Sequence, residues 1–567
     1  MTDSSLNRAL IAPASPDQKT TKPLTVAEVI LKQLALWDVK HIYGVAGDAI
    51  LAFLAALPYQ NQIRYIDVRH ETAAALMAST EGKCTQHIGV CIATSGPGLV
   101  NMLNGIADAA QDRIPLLVIS GQVERKKAGT EAKQYINQQQ MMAPLAVYST
   151  ELEHPEAIVD VLQKALIEAQ SQRGVAHLSV PKDLFSAVCQ SEPRAPLGLL
   201  HQTKPQNLSA LDQAVTRLAE AQKPVILIGE GSRGAAHEIK QLAAILQAGI
   251  IETLGAKGVI PYQHPLNLGG IGQGGIDESK QTLQQSDCIL AIGANWWPEG
   301  FVPQQTEIIQ IDQSPAAIEG HRHVKYALVG DAVQVTGMLL QRLRERQQVQ
   351  NSNRKTWEKQ IVQTKKNMNR RLEFERSQAT SDHHPSAISP QRLMSVIDEH
   401  VNPDAIIVLD TGDHTLWFNR HFRAERQDVL YSGKWRTMGY GLPAALAAKL
   451  AYPEKQVVAI VGDGGLAMTM MEFSTAVKHR LPVIVIVVNN RSLALEKHKM
   501  MAEGYAPFGV DLHNPDFARL AETFGAKGVR VEKEDELAEA LSENLFTEQP
   551  VCFDVQTTAS MIPSMSS

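Results

Sequence analysis

The sequence predicts an α/β protein made of three consecutive doubly wound domains with mainly parallel sheets. Three observations predict it. Short runs of aliphatic and β-branched residues alternate with helical stretches along the whole chain. These runs are apolar almost throughout, as strands are when helices cover both faces of a sheet. Two polar shifts in composition then divide the chain into three blocks of similar style.

The strand candidates are 115–120, 224–229, 288–293, 307–312, 405–410, 457–463 and 482–488, and 209–221 is typical of the helices between them. Thr25 and Glu28 have the spacing of a capping box, in which each side chain satisfies an otherwise unpaired amide. The helix that follows is expected to turn Val29, Ile30, Leu34 and Leu36 toward the core. The first compositional break is the proline-rich stretch 191–207. The second opens with the charged run after Arg342, continues through a helix expected to be exposed around 357–377, and closes on a polar segment with His383 and His384. The expected organisation is a disordered lead-in (1–21), a first domain (22–190), a central domain (205–345), a linker with an exposed helix (346–385) and a third domain (386–567).

The 567 residues are enough for about three to five domains at roughly 100–200 residues each. Lys and Arg number 54 against 60 Asp and Glu, a net charge of −6, so the basic excess of a nucleic-acid surface is missing. Hydrophobic residues at 44% and charged residues at 20% exclude a disordered chain. The five cysteines, Cys84, Cys91, Cys189, Cys288 and Cys552, are scattered and form no CxxC pair. That argues against a disulfide framework or a zinc site and for a reducing cytoplasm. No run of 18 apolar residues suggests a membrane-spanning helix. The first residues lack the apolar core of a signal peptide.

The most specific segment lies in the third block, where 461-VGDGGLAMTMMEF-473 precedes 481-LPVIVIVVNN-490. One apolar strand ends in Gly-Asp-Gly and opens a helix, and a second ends in Asn-Asn. Ligands of open α/β sheets bind at the carboxyl ends of strands. Asp463 and Asn490 each occupy such an end, 490 − 463 = 27 residues apart. With a backbone carbonyl near Ser492 they offer an all-oxygen set suited to Mg2+ that also takes phosphate oxygens. Gly464 and Gly465 would let a diphosphate approach the helix N-terminus. A lone Gly-Asp-Gly is usually an ordinary turn; the Asn-Asn at this spacing, with strands on both sides, gives it meaning.

This pattern resembles the motif of thiamine-diphosphate-dependent enzymes. The chain is similar to the branch containing pyruvate oxidases, quinone-dependent pyruvate dehydrogenases and acetolactate synthases, over about residues 22–556. The resemblance implies a pyrimidine-binding, a central and a pyrophosphate-binding domain. In the first, Glu71, within 65-YIDVRHETAAALMA-78, matches the family's catalytic glutamate, whose carboxyl shares a proton with the aminopyrimidine of the cofactor. Gly47 lies in a turn after a strand, and Gly96, Pro97 and Gly98 match a loop beside the aminopyrimidine. Arg436, Thr437 and Met438, in 433-GKWRTMGYGLP-443, match the segment that bends the cofactor, with Met438 as the wedge between its rings. Leu495 and Glu496 extend the expected thiamine diphosphate contacts.

The central block carries Gly229-x-Gly231-x-x-Gly234 after a strand. In flavin-containing relatives this region holds FAD, which would implicate Gly231, Ser232, Arg233, Gly293, Ala294, Asn295 and Asp312. Trp296 and Trp297 are suited either to stacking on a ligand or to packing. A central domain without cofactor is the alternative.

Three features depart from the pyruvate-specific pattern. Lys133-Gln134 stands where relatives acting on pyruvate carry Phe-Gln. Ala494-Leu495-Glu496 replaces Gly-Phe followed by an apolar residue, and a buried Glu496 would need Lys133 or Lys499 as partner. The C-terminus shows no amphipathic membrane-binding tail of the quinone-dependent relatives. The expected substrate is a small 2-keto acid, with Lys133, Gln134, Glu496 and Lys499 as the substrate candidates. The resemblance implies at least a homodimer, usually a homotetramer. Its expected chemistry is oxidative decarboxylation like that of a pyruvate oxidase; the alternatives are carboligation and simple decarboxylation.

Overall fold

The structure is a computed structural model that describes residues 23–196, 208–295, 301, 306–318, 324–346, 352–378 and 387–561. The lead-in 1–21, Trp296, Trp297, His383 and His384 fall outside the described residues.

Three six-stranded sheets form the framework, and every strand pair within them is parallel. Numbered from the first strand of each sheet, the first and third sheets share one strand order, 2-1-3-4-6-5. The central sheet has the order 3-2-1-4-5-6 of dinucleotide-binding folds. Each order reverses beside its first strand, and the crevice outside that reversal is where such sheets take ligands.

The predicted strands are present as Leu116–Gln122, Pro224–Ile228, Cys288–Ile292, Glu307–Asp312, Ile406–Leu409, Val457–Gly462 and Ile484–Asn489. Ile289–Ala291, Val457–Val461 and Val485–Ile486 are fully buried, as strands covered on both faces require. The capping box also forms. The Thr25 hydroxyl accepts from the Glu28 N–H, and the Glu28 carboxylate accepts from the Thr25 N–H at 2.7 Å. Leu36 departs from expectation: it is 47% exposed at the end of its helix, where the apolar stripe has already turned outward.

The helix expected to be exposed, Ser352–Gln378, is also corrected. Trp357, Ile361, Met368 and Leu372 are buried against the central domain, and the Trp357 indole donates to the Pro224 carbonyl at 3.0 Å. These positions are four, seven and four residues apart, a spacing that keeps them on one narrow stripe of a helix. The many Lys, Arg and Glu on the remaining faces hide that stripe in the composition. No helix among the described residues is long and apolar enough to cross a membrane.

The first and third domains meet around a buried lysine. Lys83, with 3% of its side chain exposed, donates to Asp108 at 2.9 Å, to Asp112 at 2.8 Å and to the Tyr431 carbonyl at 3.1 Å. Burial opposes its charge, but Asp108 and Asp112 hold it well above its ordinary value. Asp112 also accepts the N–H groups of Gly433 and Lys434, at 2.9 and 2.8 Å. Removing one member of a buried charge cluster leaves the others uncompensated, at a cost of about 3–5 kcal/mol. Lys83→Ala is therefore expected to lower stability by about that amount in urea-unfolding experiments. An unchanged midpoint would contradict this account of the seam.

Candidate active site at the strand ends

In the third sheet the order reverses between Ile406–Leu409 and Val457–Gly462, and Asp463 opens the helix that follows the second of these strands. Its Oδ1 accepts the Gly464 N–H at 2.8 Å, and its Oδ2 accepts the Asn514 amide at 2.7 Å. Asn490 lies one residue beyond Ile484–Asn489. Its Oδ1 accepts the Ser492 N–H at 3.1 Å, and its amide donates to Asp413 at 3.4 Å. The N–H groups of Arg491 and Ser492 also reach Asp463, which brings Asp463, Asn490 and Ser492 together as the motif predicts. The Ser492 hydroxyl itself donates to the Val510 carbonyl at 3.1 Å.

Burial raises the Asp463 carboxyl above its ordinary value. Asp413 is pushed up to about 6 by burial, and the neighbouring Asp463 charge adds to this. Two buried carboxyls with the Asn490 amide beside them suit a hard divalent cation. No group of three or more His, Cys, Asp or Glu suited to a metal forms among the described residues. The oxygen donors of Asp463 and Asn490 fit Mg2+, which shares its shell with water or phosphate.

Asp410, at the end of Ile406–Leu409, is buried and accepts the N–H groups of Thr411, Gly439 and Gly441 at 2.7, 3.1 and 3.3 Å. Burial pushes it up to about 6, opposed by these donors. It anchors the turn after Met438. A Cβ on Gly465 would lie 2.6 Å from Asp410 Oδ2. One on Gly464 would lie 2.8 Å from Leu493 and 3.2 Å from Met438. The space left by these two glycines is thus also required by the protein's own packing. Thr437 accepts from the Asn104 amide at 2.9 Å, while Arg436 is exposed, with φ 54°, and its guanidinium lies over the Tyr431 ring.

Asp410, Asp413, His414 and Asn514 were not singled out by the motifs. The signal for the first three was 410-DTGDH-414 directly after a predicted strand. The His414 ring donates from Nε2 to the Asp410 carbonyl at 2.9 Å, leaving its buried Nδ1 without a protein partner.

The first sheet repeats the arrangement. Its order reverses between His41–Gly44 and Gly89–Ala93, whose following turns carry Gly47 and Gly96. The turns touch: a Cβ on Gly47 would lie 2.5 Å from the Thr94 Cβ. Gly96 has φ 61°, in the left-handed region that favours glycine, and Pro97 opens the helix Pro97–Gln111. Glu71 opens the helix Glu71–Thr85 and accepts from the Asn101 amide at 2.9 Å. Its other oxygen lies 3.6 Å from where a Gly98 Cβ would be, so Gly98 keeps space open beside the carboxylate. Glu472 of the third domain accepts the N–H groups of Arg69 and His70, at 3.0 and 3.2 Å, and so fixes the approach to Glu71. Gln134 packs its carbonyl against Gly96, while the neighbouring Lys133 is exposed.

Between the domains lies a cavity of about 1300 Å³. It opens from the reversal point of the central sheet, where the Gly231 N–H donates to the Gly293 carbonyl at 3.1 Å. Any Cβ on Gly229 would lie 2.2 Å from that carbonyl, so glycine is required there. Of the residues implicated in flavin contact, Gly231, Arg233, Gly293, Ala294, Asn295 and Asp312 line the cavity. Ser232 does not. It is buried, and its hydroxyl donates to the Gly229 carbonyl at 2.6 Å, closing its own turn.

Arg436, Leu495, Glu496 and Lys499 line the same cavity from the third domain. The Glu496 side chain is 56% exposed and pairs with Lys499 at 3.0 Å, one helical turn away. Its position on the first turn of Ala494–Ala502 faces it into the open cavity rather than the core. Lys499, not Lys133, is its partner.

Three family models match the chain. They are the N-terminal thiamine pyrophosphate-binding domain over residues 24–141, the central domain over 211–339 and the C-terminal thiamine pyrophosphate-binding domain over 410–555. A Bacillus subtilis protein named as thiamine pyrophosphate-containing, YdaP, is 36% identical over 538 residues, covering 94% of this chain and 91% of its own. The acetolactate synthase of Mycobacterium leprae is 31% identical, with 96% and 88% covered, and the pyruvate oxidase of Lactiplantibacillus plantarum is 30% identical, with 95% and 89% covered. With the strand-end geometry and these matches together, the chain belongs to the thiamine pyrophosphate enzyme family.

Proposed function

We propose that the protein decarboxylates a small 2-keto acid, pyruvate or an analogue, with thiamine diphosphate and Mg2+, and passes the electrons to FAD in the manner of a pyruvate oxidase. The observation that carries the reading is the pairing of Glu71, beside the open space at Gly98, with the oxygen set of Asp463 and Asn490 on a sheet of the same strand order. When bound, thiamine diphosphate supplies the electron sink for loss of CO2. Asp463, Asn490 and a carbonyl near Ser492 would hold the metal of its diphosphate. Glu71 would share a proton with N1′ of its aminopyrimidine, with Asn101 fixing the carboxyl. Met438, resting against the Gly464 turn, would support the thiazolium.

The flavin part rests on the cavity of about 1300 Å³ at the reversal point of the central sheet, where Gly229 and Gly293 bring two strand ends into contact. A carboligase reading is favoured by the likeness to the acetolactate synthase. Both readings place the site between two copies of the chain, in a homodimer that pairs into a tetramer and works in the cytoplasm. Val100, Trp435, Met468 and Met471, between 43% and 63% exposed on the elements that carry the site, form the apolar surface a second copy would cover.

Glu71→Gln is expected to lower CO2 release from 2-keto acids by about 100-fold or more while thiamine diphosphate still binds, because it removes the proton-sharing carboxyl. Equal rates would contradict the mechanism. A purified protein absorbing at about 450 nm supports the flavin, and a flavin-free active protein refutes the oxidase reading. Because Lys133 beside Gln134 offers a cation near Gly96, acids with a second anionic group are expected to be substrates. For these alone Lys133→Gln should raise KM about tenfold. An equal effect on pyruvate would contradict that role.

A further inference from the structure

We propose that His177 is the positioning residue for the segment that carries Lys133 and Gln134, and that it sets substrate affinity through a buried chain of hydrogen bonds. The proposal rests on the reading of Lys133 and Gln134 as substrate contacts.

The segment covers 123–137, between the strand Leu116–Gln122 and the helix Gln138–Met142. Gln134 has φ 67°, in the left-handed region, and its carbonyl crowds Gly96, where a Cβ would lie 2.7 Å away. Such backbone persists only where its surroundings over-determine it. Lys133 and Gln134 are themselves exposed, so the hold comes from elsewhere in the segment. Two buried glutamines supply it just beyond Gln134. The Gln122 amide donates to the Ile136 carbonyl at 3.1 Å, and the Gln138 amide donates to the Gly121 carbonyl at 2.9 Å.

The second of these bonds starts a chain in which every proton position is forced. Because the Gln138 amide nitrogen faces a carbonyl, its Oε1 is the atom that meets Ser120, and the Ser120 hydroxyl donates to it. Ser120 Oγ therefore accepts from His177 Nε2–H at 2.7 Å. That leaves His177 Nδ1 as an acceptor, and the Ser149 hydroxyl donates to it at 2.8 Å. One ring nitrogen donates and the other accepts, which only neutral imidazole can do. Burial agrees and pushes His177 down to about 3.

Strand register brings the chain together. His177 pairs with Ser149 on one side and with Val118 on the other, and Ser120 lies two residues beyond Val118 on the same face of the sheet. His177, Ser120 and Gln138 are fully buried. A polar line through an apolar sheet is tolerated only when all its members are satisfied. That state requires the Gln138 side chain in one place, and Gln138 directly follows the segment. His177 thus fixes where the segment ends, and with it how Gln134 lies on Gly96.

Hydrogen exchange and steady-state kinetics on the full-length protein test this. His177→Leu should speed amide exchange over residues 123–137 by about tenfold. It should raise KM for the 2-keto acid by about tenfold while kcat stays within about twofold. His177→Gln, whose amide can still donate to Ser120, should restore most of both. Gln138→Leu cuts the chain at its other end and should reproduce both effects, so it carries the same expectations should His177→Leu not fold. The H177L/Q138L double variant should be no worse than the worse single one, because both break one chain. A lower urea midpoint in His177→Leu with exchange and KM unchanged would overturn the proposal, since the chain would then only stabilise the sheet. Additive effects of the two substitutions would overturn it as well. Exchange is read without substrate. If no 2-keto acid is consumed, the proposed function fails, and unchanged exchange over 123–137 would then overturn the positioning role separately.

Discussion

Lys83 is an ammonium group taken out of water at the seam between the first and third domains, and Asp108 and Asp112 make that burial tolerable. Much of the site depends on it. Asp112 uses its remaining capacity to hold the backbone of Gly433 and Lys434, and Lys83 holds the Tyr431 carbonyl. The segment that leads to Arg436, Thr437 and Met438 is thereby pinned against the helix Pro97–Gln111. That same helix supplies Asn104 to Thr437 and Asn101 to Glu71. One buried charge cluster thus sets both the segment that would support the cofactor's ring and the carboxylate that would exchange its proton. A buried ion pair adds little net stability, but it is intolerant of misplacement, and that makes it effective at fixing geometry.

The second constraint is topological. Parallel strands deliver their carboxyl ends to one edge, and a reversal of strand order opens a crevice there. The chain does this three times. In the third domain the crevice gathers Asp410 and Asp463; in the first, Gly47 and Gly96; in the central domain, Gly229 and Gly293. The glycines are explained by close approach in each case: to Thr94, to the Gln134 carbonyl, to Asp410 and between the two central turns. The glycine-rich composition therefore reflects backbone crowding at strand ends more than loop flexibility.

What the sequence revealed follows from how local each signal is. Asp463 and Asn490 were legible because each directly ends an apolar strand, and strand ends are fixed by the chain itself. Glu71 was legible only through resemblance, since a glutamate opening a helix is common on any surface. Asp410 and Asp413 were not read, because Asp-Thr-Gly-Asp looks like an ordinary turn until the fold buries it. The Ser232 hydroxyl closes its own turn, a local contact that the glycine pattern alone did not reveal. The sequence left open whether Glu496 is buried with a lysine partner, because exposure depends on the fold; the first turn of its helix faces an open cavity, where it pairs with Lys499. The stripe of Trp357, Ile361, Met368 and Leu372 was masked by the charges between its members.

In the proposed function, Glu71 and Asp463 serve one site built from two copies of the chain. Mixing inactive Glu71→Gln chains with inactive Asp463→Ala chains, and measuring CO2 release after random reassociation, tests it most directly. If each site pairs the first domain of one chain with the third domain of another, half the dimers are mixed and each holds one intact site. Activity should then return to about a quarter of the wild-type value. A mixture as inactive as its two components would contradict the shared site.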